Sequence, residues 1–141
     1  MKVKGAHLKA LRKIRARLAG SQIDWVVTGS LGMALQGMEI DVHDIDLQTD
    51  EAGAYEIARR CAEYVVEPVC YLASERICSH LGALEIDGIE VEIIGALQKL
   101  RPDQTWEPPV DVTRHRRWIE IKTEDAPLRT PVLSLAYEYR A

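Results

Sequence analysis

The run Ala83-Leu84-Glu85-Ile86-Asp87-Gly88-Ile89-Glu90-Val91-Glu92-Ile93-Ile94 most limits what this chain can become. Apolar and polar residues alternate on both sides of Asp-Gly. Period two is the spacing of a strand with one buried face, and Asp-Gly is the dipeptide that closes a two-residue hairpin turn. An all-helical fold is therefore excluded. A lone hairpin is marginal in water, so its apolar face must be covered by other elements. The chain has the material for that: 141 residues, of which 47% are hydrophobic. This suits one domain, residues 1–141, with its own core.

The elements that provide the cover can be read on either side. Leu8, Leu11, Ile14 and Leu18 recur at helical spacing, predicting an amphipathic helix over residues 1–20, ended by Gly20-Ser21. Ile23 to Thr28 is a short apolar run read as a buried strand, and Leu31 to Leu35 as a short helix stopped by Gly37. Asp44 to Thr49 alternates at strand period. Glu51 to Tyr64 reads as a helix with Ala54, Ile57, Ala58, Cys61 and Ala62 on one face, Asp50 at its N-cap, and Pro68 closing the region. Val69 to Leu72 reads as a short strand, Gly95 to Leu100 as a helix or turn, and Pro102 to Pro109 as a loop. Trp118 to Lys122 is a further strand, and a C-terminal helix is expected over 130–141 after Thr130-Pro131. Strands alternating with helices predict an α/β (α+β) domain with a short mixed sheet flanked by helices.

Charge and cysteine content narrow the classes further. Residues 1–23 hold seven Lys or Arg and no acid, whereas the remainder holds eleven basic and 22 acidic residues. The basic helix face thus reads as a solvated surface beside an acidic domain, with an RNA or substrate-docking face as the sharper alternative. Three cysteines, Cys61, Cys70 and Cys78, give neither a zinc spacing nor a disulfide framework and are expected to be small buried hydrophobes. No apolar run nears 18 residues, and the N-terminus lacks the apolar centre of a secretory signal. A cytoplasmic protein with no membrane partner is the expectation.

The chemistry gathers on three short segments. Asp44 and Asp46 lie two apart on a predicted strand and so face one way, with Ile45 and Leu47 facing the other. Two carboxylates on one face repel, and a shared hard cation, Mg²⁺ or Mn²⁺, relieves the repulsion. Gly29-Ser30 joins the first strand to a helix start, where backbone N–H groups and a hydroxyl can receive phosphate. Glu90 and Glu92 share one face of the hairpin's second strand. If that strand lies beside Asp44–Asp46, three carboxylates surround one cation site.

The order Val27-Thr28-Gly29-Ser30, then His43-Asp44-Ile45-Asp46-Leu47 fourteen positions on, then an acid in Gly88-Ile89-Glu90-Val91-Glu92-Ile93, resembles the nucleotidyltransferase superfamily of the DNA polymerase β type, above all its small stand-alone members. The resemblance covers residues 23–95. It implies the nucleotidyltransferase fold and transfer of a nucleoside monophosphate from an NTP, ATP among them, to an acceptor hydroxyl or phosphate on a small molecule, a protein or a nucleic-acid end. By position, it implies that Gly29 and Ser30 hold the triphosphate and that Asp44, Asp46 and Glu92 bind metal. Glu92 would also help to deprotonate the acceptor in a two-metal scheme. Many relatives carry Arg and Thr just before the first Asp, whereas this chain reads Ile40-Asp41-Val42 there. A homodimer or partner protein would then supply the missing phosphate-facing cation. The alternative reading is a catalytically weak or inactive, antitoxin-like binding module of the same fold.

Other residues have weaker claims. Arg76, Ser79, His80 and Lys99 flank the hairpin and are candidates for phosphate contacts, while His43 reads as structural. Arg114-His115-Arg116-Arg117-Trp118 is a basic run whose plainer reading is a solvated strand lead-in, with stacking on bases as the sharper alternative. Trp106-Glu107-Pro108-Pro109 is a stiff loop able to cover a site.

Overall fold

A computed structural model describes residues 3–140, so residues 1–2 and 141 of the two expected terminal helices lie outside it. Seven strands form one mixed sheet: β1 (Trp25–Thr28), β2 (Ile45–Thr49), β3 (Val65–Ala73), β4 (Ile77–Ile86), β5 (Ile89–Lys99), β6 (Arg116–Ile121) and β7 (Leu128–Leu133). Their spatial order is β3-β4-β5-β2-β1-β7-β6. The central pairs β5–β2 and β1–β7 run parallel, and β2–β1 runs antiparallel between them. Five helices accompany the sheet: α1 (Gly5–Leu18), α2 (Gly29–Leu35), α3 (Glu51–Arg60), α4 (Val112–His115) and α5 (Leu135–Arg140).

The hairpin forms between β4 and β5 as its sequence requires. Asp87 and Gly88 take φ of 51° and 80°, the paired left-handed conformations of a type I′ turn, whose twist matches that of the strands it joins. One face of the sheet carries the main core. Leu11, Ile14 and Leu18 of α1 and Ala54 and Ile57 of α3 pack there on Val27, Ile45, Leu47, Val91 and Ile93. The opposite face carries a smaller cluster of Val26, Val112 and Leu133. Cations of α1 are tied to the domain beside them: Lys13 pairs with Asp87, Arg17 with Glu63, and Arg12 donates to the Ala126 carbonyl. This matches the plainer reading of the basic helix.

Four expectations about local structure change. The α3 helix stops at Arg60, and residues 62–64 form a 3₁₀ turn, which leaves Ala62 exposed. Pro68 does not end the region but sits inside β3. That is an edge strand whose pairing with β4 shifts register around the proline, the setting in which a residue without an N–H is tolerated. Gly95 to Leu100 is largely the continuation of β5, with a bulge: the three residues of β4 from Cys78 to His80 face the four of β5 from Gly95 to Gln98, and Ala96 takes a φ of 53°. Residues 130–133 belong to β7, and the C-terminal helix starts only at Leu135. Pro131 is accommodated in that strand opposite Trp118. Of the cysteines, Cys61 and Cys78 are buried, while Cys70 is exposed because β3 is an uncovered edge.

Candidate active site

Strand pairing aligns the acidic residues. Asp46 of β2 is the register partner of Glu92 on β5 and of Thr28 on β1. Cross-strand partners project to the same face, so Thr28, Asp46 and Glu92 form a row across three central strands. Asp44 lies one residue before β2 and is exposed; Glu90, also exposed, precedes Glu92 by two on β5. The apolar neighbours Ile45, Leu47, Val91 and Ile93 point into the main core and fix which way the acids face.

The row is electrostatically strained. Burial, followed by the charges of Glu92, Asp44, Glu138 and Glu90, pushes the Asp46 carboxyl up to about 6. Burial also raises Glu92, with Glu90 and Asp44 adding to it. Such a set of hard oxygen donors, each disfavouring the charge of the next, is suited to a divalent cation. Among the described residues, no three His, Cys, Asp or Glu side chains converge closely enough to hold an ion as they stand. Side-chain rotation of Asp44 or Glu92 would have to complete such a site.

Gly29 opens α2 directly against this row. Its φ is 66°, a left-handed conformation, and a Cβ placed on it would collide with the Asp46 carboxylate. Glycine is needed there on both counts. Ser30 follows, half-exposed, in the first turn of α2. The Gly29 N–H donates to the Glu138 carboxylate at 3.0 Å, and the Thr28 hydroxyl donates to the same oxygen. Glu138 thus brings the C-terminal helix onto the strand–helix junction.

Two residues of this region were not singled out from sequence. Glu138 gave no local signal, because α5 reaches the junction only through the fold. His7 did give one: it stands four and seven positions before the buried Leu11 and Ile14, on the same helix face. It is buried, its Nε2 donates to the His43 carbonyl at 3.0 Å, and its Nδ1 accepts from the Lys4 amide. The ring therefore ties α1 to the segment that leads into Asp44. His43 itself is exposed, and its backbone rather than its ring makes this contact.

The weaker candidates scatter. His80 lies on the α3 side, between the Tyr55 hydroxyl and Glu51. Arg76 is exposed at the β3–β4 turn, and Ser79 is buried in β4. Of the basic run, Arg116 pairs with Asp24, and Trp118 is surrounded by the guanidinium groups of Arg15, Arg116 and Arg129. Lys99, Arg114 and His115 instead line a cavity together with Glu107 of the stiff loop.

Comparison with known proteins gives two matches. The sequence model of the aminoglycoside-2''-adenylyltransferase family matches residues 10–141. The crystal structure of a Thermotoga maritima protein, described as a "putative nucleotidyltransferase", superposes with a TM-score of 0.91 at 50% identity, covering 98% of this chain and 83% of that one. No curated protein matches the chain. No helix among the described residues is long and apolar enough to cross a membrane.

Proposed function

The chain belongs to the aminoglycoside-2''-adenylyltransferase family, and from that premise we propose that it is a metal-dependent nucleotidyltransferase of the DNA polymerase β type. In this reading it moves a nucleoside monophosphate, AMP by the family's name, from an NTP to an acceptor hydroxyl. The observation that carries the reading is the register of Asp46 beside Glu92, with Gly29 pressed against the same carboxylate.

Each residue then has a role its position allows. Gly29 and Ser30 receive phosphate oxygens at the strand–helix junction. Asp44, Asp46 and Glu92 hold Mg²⁺ or Mn²⁺, which when bound supplies the positive charge that polyphosphate chemistry needs. The Glu92 carboxylate takes the acceptor's proton as the acceptor oxygen bonds to the α-phosphorus. The bond from the α-phosphorus to the bridging oxygen breaks in line, and pyrophosphate leaves. The chain's work is largely to position groups and balance charge. Around the row lie the acids Asp44, Glu90 and Glu138, which favour a cationic acceptor. An amine-bearing sugar of the aminoglycoside class is therefore the acceptor proposed.

One observation favours the second reading, an inactive module. Glu138 already accepts the Gly29 N–H that a phosphate would use. A single experiment separates the two. The protein is incubated with ATP, Mg²⁺ and a panel of aminoglycosides, and the acceptors are weighed by mass spectrometry. A gain of one adenylyl group, lost in Asp44→Ala/Asp46→Ala, supports transfer. An unchanged panel with wild type and with Glu138→Gln alike would favour the inactive module.

A further inference from the structure

A cavity of about 500 Å³ lies between the end of β5, the loop after it, α4 and α5. Lys99, Arg101 and Arg114 line it, with Glu107 as the acid, and His115 stacked on Tyr137 at 4.0 Å forms part of its wall. We infer that this cavity receives the terminal phosphates of the nucleotide; the inference rests on the nucleotidyl-transfer reading above.

The placement supports it first. Tyr137 of the cavity wall and Glu138 at the Gly29 N–H are consecutive residues of α5. Val112, at the start of α4, packs on Val26 and Leu133. Val26 stands two residues before Thr28 on β1, hence on the sheet face that carries the acidic row. The cavity and the row thus share a face and a helix.

Charge supports it second. The reacting α-phosphate must lie beside acids, and the negative charge of the remaining phosphates needs cations within reach. The segment before Asp44, Ile40-Asp41-Val42, contributes only another acid. Among the described residues, Lys99, Arg101 and Arg114 line this volume beside Glu107 and supply from within the same chain what that segment lacks. No second copy or partner is then required for it.

The loop that carries Arg101 is also held in place. The bulge at Ala96 redirects the end of β5. The following loop is pinned to it by Val110 N–H to the Leu97 carbonyl at 3.0 Å, Glu107 N–H to the Lys99 carbonyl at 2.8 Å, and the Gln98 amide to the Glu107 carbonyl at 3.0 Å. The Arg101 guanidinium donates to the Trp106 carbonyl at 3.2 Å. A pocket preorganised in this way loses little entropy when an anion enters.

The test is calorimetric titration of ATP, ADP and AMP, each with Mg²⁺, into wild type and Arg101→Gln/Arg114→Gln. Both arginines are exposed, so the variant should fold, and its melting curve verifies that. The expected result is ATP binding weakened about tenfold or more in the variant, with AMP binding changed less than about twofold. Unchanged ATP binding, or equal losses for ATP and AMP, would overturn the inference while leaving nucleotidyl transfer standing. If wild type binds none of the three nucleotides, the transfer reading fails, and this inference with it.

Discussion

Strands β2 and β5 present two faces made of alternating residues of the same five-residue stretches. On one, Ile45, Leu47, Val91 and Ile93 are each 0% exposed. On the other, Asp46 and Glu92 are partly buried beside one another with both carboxyls raised. One face contributes stability through burial, and the other costs stability by holding like charges together. A site that needs closely spaced acids is tolerable only on strands anchored this firmly from behind. The proposed chemistry and the core that anchors it are thus separated by a single residue step.

Neighbouring substitutions break that comparison most sharply. Asp46→Asn removes a proposed metal ligand and should lower transfer by about 10³-fold or more while leaving the fold intact. Leu47→Ala, one residue on, should cost about 2–5 kcal/mol of stability, the usual range for emptying a fully buried leucine site. Denaturant unfolding measures the second effect, and transfer rate per folded molecule should stay near wild type. If Leu47→Ala instead abolishes the rate of the folded fraction, the two faces are not separable.

Gly29 tests how tightly the junction is set against the row. Gly29→Ala forces a side chain into a left-handed conformation and against the Asp46 carboxylate. The expected loss is about 2 kcal/mol. Because part of it is the collision, the same change in an Asp46→Ala background should cost less, by about 1 kcal/mol in a double-mutant cycle. Strict additivity would show that the backbone conformation alone is responsible.

Much of this was legible in the sequence because it is local. The Asp87-Gly88 turn needs positive φ at both positions, and those residues announce it. The alternation of Ile45, Asp46, Leu47 and of Val91, Glu92, Ile93 states which side chains share a face. What alternation cannot state is which strands become neighbours, so the parallel pairing that puts Asp46 beside Glu92 had to come from the fold. Glu138 was unreadable for the same reason: it is about a hundred residues from Gly29, whose N–H it accepts. The errors at Pro68 and Thr130-Pro131 have another cause. Proline signals a break, yet β3 takes it on an edge where the register shifts, and β7 takes it where pairing with β1 is limited to Val132 opposite Val27.

The smallest effect tests the cost of the acidic face by pH. The Asp46 carboxyl titrates near 6 in the folded protein, against an ordinary value of 3.8. Below about pH 4 it is protonated in both folded and unfolded chains, and its charge penalises neither. Between about 4 and 6 the unfolded chain has lost this proton and the folded chain has not, so raising the pH destabilises the fold. Above about 6 the penalty is complete and constant. Glu56 and Glu63, each held near 2 by arginine partners, act in the opposite sense: their stabilisation is present above the ordinary value of 4.5 and lost as pH falls toward 2. The overall profile therefore mixes both signs, and the difference between Asp46→Asn and wild type isolates the one of interest. That difference should grow in favour of the variant from pH 4 to 6 and stay flat above. It should reach about 1 kcal/mol once discounted for the partial exposure of Asp46, a few degrees in melting temperature. Adding Mg²⁺ at pH 7 should close the gap by raising only the wild type. A difference that ignores pH across this window would mean that the acidic face carries no cost, and the contrast between the two faces would fail.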